Sequence, residues 1–330
     1  MSAPDGLPTA PDGSATPPHR GSATPGGSVQ PREGDTRRYR VRHETTYEYS
    51  GPVSSSFGRA YLTPRTTGVQ RCSETSVTVE PAPVDQSRGR DVYGNENTYF
   101  QVSTEHTRLV VTGVSMVEVD PPLRDAAVLS RPWESFRPTA PERADDGDPE
   151  RPLAVEFVID GPRPEIDDQV HAYALESFTP GRPIGEATID LTRRIFRDFT
   201  YLSGSTTVTT RVSEVFAERR GVCQDFARLG IACLRSLGLA ARYVSGYLAT
   251  QPPPGKERMI GADATHAWAA VWIGGDTWLE FDPTNDQLAD ERYVTVAWGR
   301  DYVDVPPLRG IIQTEAKDSS IRVSVDVAPV

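Results

Sequence analysis

The hydrophobic period of this 330-residue chain changes twice along its length, from two to 3.6 and back to two, and that order confines it to a mixed architecture. In the first stretch Tyr39, Val41, His43, Thr45, Tyr47 and Tyr49 alternate with Arg40, Arg42, Glu44 and Glu48, as in a strand with one wet face. Strand-like runs follow over 76–79, 98–103 and 108–119, punctuated by the Asp91-Val92-Tyr93-Gly94-Asn95 turn. An antiparallel β domain over residues 37–120 is the expectation. Ahead of it, residues 1–36 are rich in Pro and Gly and hold no aromatic residue, so nothing there offsets the entropy of ordering. They read as a disordered tail.

Prolines and the acidic patch Asp145-Asp146-Gly147-Asp148 mark residues 121–165 as a linker or surface segment. The patch lacks the spacing of a calcium-binding loop and reads as solvated. Helical spacing then takes over. Ile166, Val170, Tyr173, Ala174 and Phe178 fall on one face of one helix, and Ile189, Thr192, Ile195, Phe196 and Phe199 on one face of the next. A shorter helix with Val212, Val215 and Phe216 runs into Gly221, and a fourth starts at or near Cys223 and stops at Gly238. Strands return over 240–248, 266–273, 277–282, 293–298 and 321–327, with Gly274-Gly275 as a hairpin turn. Residues 166–330 therefore predict helices packed on an antiparallel sheet, and the whole chain is α+β. The polar stretch 313–319 has no assigned role.

A net charge of −11 disfavours phosphate backbones and anionic membrane surfaces, so neither nucleic acid nor membrane is expected as a partner. With no apolar run of membrane-spanning length and no charged-then-apolar leader pattern, the expectation is a soluble, cytoplasmic protein. Three widely spaced cysteines fit reduced thiols better than bridges. Cys223 and Cys233 are ten residues apart on one helix, a rise of about 15 Å, too far for one metal ion with His266. No metal and no cofactor is expected.

Chemistry concentrates in the second half. Cys233 lies mid-helix among Phe226, Leu229, Gly230, Leu234 and Leu237, the place of an inert core thiol. Cys223 opens the helix after Gly221, where unpaired N–H groups and the helix dipole favour a thiolate below the free value of about 8.5. It needs a base. Of the histidines in this half, His171 falls on a helix flank, whereas His266 opens a strand that also carries Trp268, Ala270 and Trp272 on the same face. An acid must then orient the imidazole. Alternation puts Glu280 and Asp282 on one face, and periodicity does not choose between them; Asp282, at the strand end before Pro283, is better placed to meet the start of a hairpin partner. Asp225 and Asp263 are weaker rivals, each suited to capping a helix or turn.

Four blocks occur in order: Gly-Val-Cys-Gln-Asp-Phe-Ala at 221–227, Ala-Arg-Tyr-Val-Ser-Gly-Tyr at 241–247, His-Ala-Trp at 266–268 and Phe-Asp-Pro-Thr-Asn at 281–285. Together they resemble the transglutaminase-like superfamily of papain-type thiol enzymes, in its bacterial branch with an N-terminal β region. The resemblance implies a papain-like transglutaminase core, Cys223 as nucleophile, His266 as general base and acid, and Asp282 as orienting carboxylate. It implies a thioester acyl-enzyme formed from an amide or peptide, then hydrolysis or transfer to a primary amine, with a protein or peptide as substrate. The backbone N–H of Cys223 is the obvious oxyanion donor, with Gln224 or Tyr201 as helpers, although Tyr201 suits packing equally well. Trp268 and Trp272 read as core rather than as walls of a substrate slot. The alternatives are a thiol protease or amidase of the same fold, or a scaffold that keeps the fold without turnover.

Overall fold

Alternating burial along one long strand organises the N-terminal half. The structure is a computed structural model that describes residues 34–138, 151–160, 165–250 and 265–330. The tail through residue 33, the acidic patch at 145–148 and Asp263 lie outside them. The half consists of β1 (Arg37–Ala60), β2 (Gln70–Glu80), β3 (Asp85–Arg90), β4 (Glu96–Val102) and β5 (His106–Val119). The first part of β1 pairs with β5, and beyond an irregularity near Gly51-Pro52 its second part pairs with β4, all antiparallel.

The middle of the chain holds α1 (Ala126–Leu129), α2 (Arg151–Glu156), α3 (Asp168–Ser177), α4 (Ile184–Asp198), the short β6 (Thr200–Tyr201), α5 (Val212–Glu218), β7 (Arg220–Gly221) and α6 (Cys223–Ser236). Then come β8 (Ala241–Leu248), β9 (Thr265–Trp272), β10 (Trp278–Asp282), β11 (Gln287–Leu288), β12 (Tyr293–Gly299), β13 (Leu308–Thr314) and β14 (Ser319–Pro329). A five-stranded sheet in the order β11-β10-β9-β8-β12 carries α6 on one face, the α+β arrangement the periodicity predicts. Gly274 and Gly275, both at positive φ, turn β9 into β10, and Gly238 ends α6 in the left-handed region.

Three expectations need correction. The strand expected over 321–327 forms, but it does not join the second sheet. It belongs to β14, which pairs with β1 from Tyr39 to Tyr49, while β13 pairs with the second part of β1 and absorbs part of the polar stretch left without a role. Alternation sets which side chains of a strand point inward; the partner is a non-local choice, made here because Val325 and Val327 complete the cluster that holds Tyr39 and Val41. On α4 the buried stripe runs through Ile184, Ala187, Leu191 and Ile195, and Ile189 and Phe196 are 39% and 47% exposed. Thr192, Ile195 and Phe199 of the expected face are buried, so the period holds and the buried stripe is rotated towards Leu191, which turns Ile189 and Phe196 outward. Within the expected surface segment, Trp133 and Phe136 sit in the core, with the Trp133 indole set edge-on to Phe178.

The two sheets meet along the outer edge of β12. Its free backbone groups would be a pairing hazard, and two side-chain amides from the first sheet take them up. Gln70 donates to the Thr295 carbonyl (2.7 Å) and accepts from its N–H (2.8 Å). Asn95 does the same for Trp298, at 2.7 and 2.9 Å. Farther along the interface the buried His43 ring shares hydrogen bonds with the Tyr247 hydroxyl and the Thr45 hydroxyl, both at 3.0 Å. Among the described residues no helix is long and apolar enough to cross a membrane.

Burial pulls the His43 pKa down to about 4, below its ordinary 6.5. As pH falls from 6.5 towards 4 the unfolded chain takes up a proton that the native chain refuses, so native stability drops, by about 3 kcal/mol in all. Urea unfolding followed across that range will show the wild-type midpoint falling more steeply than that of His43→Gln; parallel slopes contradict the burial argument.

Candidate active site

The first turn of α6 is built around a backward-reaching carboxylate. Val222 is extended at φ −120°, ψ 179°, and Cys223 is the first helical residue. Asp225 accepts from the Val222 N–H (2.9 Å) and from the Thr206 hydroxyl (2.6 Å), so this weaker rival for the acid role is the helix cap. Burial raises its pKa against those two hydrogen bonds. Gly221 leaves room for it: a Cβ there would lie 2.9 Å from the Asp225 carboxylate. One residue earlier in space, Tyr201 of β6 pairs in parallel with Gly221 of β7.

Cys223 is 7% exposed and belongs to the cluster that holds the helices to the sheet. His266, the second residue of β9, lies opposite Gly246 of β8. Its Nε2 is 2.7 Å from Oδ2 of Asp282, the last residue of β10. The Cys223 thiol hydrogen-bonds to the same imidazole. With Nε2 held by the carboxylate, Nδ1 is the nitrogen left for sulfur. The structure thus brings Cys223, His266 and Asp282 into one chain of contacts.

Glu280, which the alternation left as an equal candidate, goes elsewhere. Its carboxylate accepts from the Trp268 indole N–H (2.8 Å) and lies 3.5 Å from the Arg242 guanidinium. Among the described residues, two further histidines have other partners: His106 bonds with Ser56 and the Thr104 carbonyl, and the exposed His171 with the Ser236 carbonyl. Cys233 is sealed in the core beneath the Val170 carbonyl, and burial pushes its thiol up to about 12.

Two electrostatic shifts follow from this geometry. Burial alone would pull the His266 pKa down, but the Asp282 charge and hydrogen bond, joined by those of Cys223, carry it well above 6.5. Burial would push the Asp282 carboxyl up, yet His266, Asn285 and Tyr293 together hold it below its ordinary range. Asp282 Oδ2 receives Asn285 Nδ2 (2.6 Å) and the Tyr293 hydroxyl (2.7 Å) besides His266, and Oδ1 receives the Thr284 N–H (2.8 Å). Both shifts have one cause: the contact between His266 and the buried Asp282 favours the charged form of each partner against the cost of burial.

Asn285 and Tyr293 are two Asp282 partners that hydrophobic periodicity does not point to. Asn285 sits inside the Phe-Asp-Pro-Thr-Asn block, where a turn after a strand end is a local signal for a side chain folding back onto Asp282. Tyr293 had none: it comes from β12, at the far side of the sheet from β10. Gln224 is half-buried, and its side-chain Nε2 is buried without a hydrogen-bond partner among the described residues. Tyr201 packs edge-on against Phe226, 6.5 Å between ring centres. Trp268 and Trp272 are both buried. Among the described residues no group of three or more His, Cys, Asp or Glu is arranged to hold a metal ion.

Residues 39–118 match the family model described as the bacterial transglutaminase-like N-terminal region, and residues 174–283 match that of the transglutaminase-like superfamily. A protein of Mycobacterium tuberculosis described as uncharacterized is 56% identical over 301 residues, covering 89% of this chain and 93% of the relative. Another, from Mycobacterium leprae, is 34% identical over 288 residues, covering 83% and 92%. The crystal structure of a candidate cysteine protease from Cytophaga hutchinsonii superposes with a TM-score of 0.65 at 23% identity, covering 90% of this chain and 94% of that one; it shares the fold.

If the Asp282 charge is what lifts the His266 pKa, Asp282→Asn will lower it by about 1–3 units, the range expected for loss of an adjacent opposite charge. Histidine ring resonances titrated by NMR will report it, and an unshifted His266 contradicts the pairing.

Proposed function

The chain belongs to the transglutaminase-like superfamily, and on that premise we propose that it is a thiol acyl-transfer enzyme with Cys223 as nucleophile, His266 as general base and acid, and Asp282 as the orienting carboxylate. One observation carries the reading: His266 holds a sealed carboxylate at 2.7 Å through Nε2 and also hydrogen-bonds with the thiol that opens α6. A thiolate at a helix N-terminus, paired with an imidazolium, is the activated form of a cysteine nucleophile.

In the proposed reaction the Cys223 sulfur attacks the carbonyl carbon of an amide or peptide, forming the S–C bond and a tetrahedral oxyanion. The Cys223 backbone N–H donates to that oxygen, and the unpartnered Gln224 amide is the better side-chain helper. Tyr201, packed on Phe226, is the weaker one. Collapse breaks the C–N bond while His266 gives its proton to the departing amine, leaving a thioester. Water or a primary amine then attacks the thioester, His266 takes the proton of the incoming group, and the C–S bond breaks to restore the thiolate. Water yields an acid and an amine yields a new amide, so transglutaminase, amidase and protease outcomes share one intermediate. The partners in this scheme are a protein or peptide substrate and, in transfer, a primary amine.

Incubation with an activated acyl ester, followed by intact-protein and peptide mass spectrometry, tests it. The expected result is an acyl adduct confined to Cys223, discharged by water or an added primary amine, absent in Cys223→Ser and formed about 10²-fold or more slowly in His266→Ala. Acylation spread over Cys72, Cys233 and lysines without preference for Cys223 overturns the proposal in favour of a scaffold. A panel of peptide amides then separates the outcomes by loss of ammonia, chain cleavage or amine adduct.

A further inference from the structure

The sheet face opposite α6 carries Trp268, Trp272, Trp278 and Trp298, four of the five tryptophans of the chain. The buried Arg242 and the half-buried Arg65 run through this layer. The Arg242 guanidinium lies 3.7 Å from the centre of the Trp298 ring and 4.4 Å from that of Trp278. Arg65, from the loop joining β1 to β2 of the first sheet, lies 3.5 Å from the centre of the same Trp298 ring. Two guanidinium groups at that height over one ring cannot share a face, so Trp298 is clasped between them. Arg65 is held in turn by the Tyr93 carbonyl (2.9 Å) and the Asn95 side chain, in the turn that caps β12.

The stack ends at the candidate catalytic imidazole. Arg242 faces Glu280, Glu280 accepts the Trp268 indole N–H, and the Trp268 ring stacks on His266 at 6.0 Å between centres and 28° between planes. Tyr293 tilts against His266 at 6.1 Å. Gly246 lets the indole come this close: a Cβ there would lie 2.6 Å from the Trp268 ring and 2.1 Å from the Val294 carbonyl. Such a layer is a poor way to gain stability. Arg242 is nearly sealed, burial lowers its pKa to about 9, and its Nε has no hydrogen-bond partner among the described residues. Apolar side chains would fill the space at lower cost, whereas a charged network defines one geometry.

We propose that Glu280, Arg242 and Arg65 are positioning residues for the thiol chemistry: they lock the Trp268 indole against the His266 imidazole, and through Arg65 the first sheet becomes part of the active-site scaffold. The inference rests on the reading of Cys223 and His266 as the acyl-transfer pair. Held in one plane, the indole keeps water off the His266–Asp282 bond and stops the imidazole from swinging away from sulfur. The charged and titratable groups facing His266 are Cys223 from α6, Asp282 from β10 and Tyr293 from β12, with Glu280 and Arg242 behind the indole.

The test is the alkylation rate of Cys223 by iodoacetamide, measured from acid to alkaline pH on the full chain, with melting temperatures recorded beside it. Glu280→Leu is expected to slow labelling at neutral pH by about tenfold and to move the acid edge of the profile towards the ordinary thiol range. Glu280→Gln keeps an acceptor for the indole N–H and is expected to restore the rate to within about twofold, while Arg65→Met loses about threefold. Arg65→Met keeps the test informative if Glu280→Leu does not fold. Variants that melt earlier but retain the wild-type rate and pH profile overturn the inference and leave the acyl-transfer reading standing. A wild-type Cys223 that labels no faster than a free thiol removes both.

Discussion

A carboxylate shut away from water costs several kcal/mol unless its lone pairs are met, and Asp282 is met from four directions. His266 arrives from β9, Asn285 and the Thr284 N–H from the turn after β10, and Tyr293 from β12. Those donors can converge only if β9 and β10 keep their register and β12 lies on the far side of β8 with its tyrosine reaching back. The site is therefore a consequence of sheet order, and the sheet order is in turn held to one arrangement by the site.

The opposite requirement falls on α6, which must present Cys223 at its open end while the rest of the helix is buried. Small residues allow the approach: Gly230 sits so close to Phe281 that a Cβ would lie 3.0 Å from its ring. Two arginines staple the surroundings. Arg228 binds Glu165 (2.8 Å), Asp301 (3.0 Å) and the Thr210 carbonyl (2.6 Å). Arg235 binds the carbonyls of Phe157, Ala241 and Arg300. Charge-assisted hydrogen bonds to carbonyls that would otherwise be stranded hold these loops around the helix. The first sheet adds the remaining constraint, since Gln70 and Asn95 occupy the edge of β12 and the last strand of the chain lies against the first. Both ends of the described chain therefore contribute to one sheet.

What the sequence made legible is what short-range periodicity encodes. Cys223 at a helix start, Cys233 in the core and the hairpin at Gly274-Gly275 all follow from local spacing. The choice of Asp282 over Glu280 depended on a strand end, which alternation cannot see; the hairpin register, with Phe281 opposite Ala269, puts Asp282 beyond the last pair and within reach of His266. Tyr293 was invisible because its contact with Asp282 crosses the sheet. The partner of β14 and the exposure of Ile189 and Phe196 on α4 were missed for the same reason: an amphipathic pattern states that a face is buried and is silent about what buries it. Trp133 and Phe136 lay among prolines that signal an irregular backbone, and an irregular backbone can still deliver two aromatic rings to a core.

The proposed chemistry depends on the charge state of one sulfur. Ultraviolet thiolate absorbance of the wild-type protein minus that of Cys223→Ser, titrated from alkaline to acid pH, measures it directly. A Cys223 thiolate that persists far below the free-thiol value of about 8.5 and is lost only in acid is the result expected of an ion pair with His266. A Cys223 signal that appears only near or above that value contradicts it.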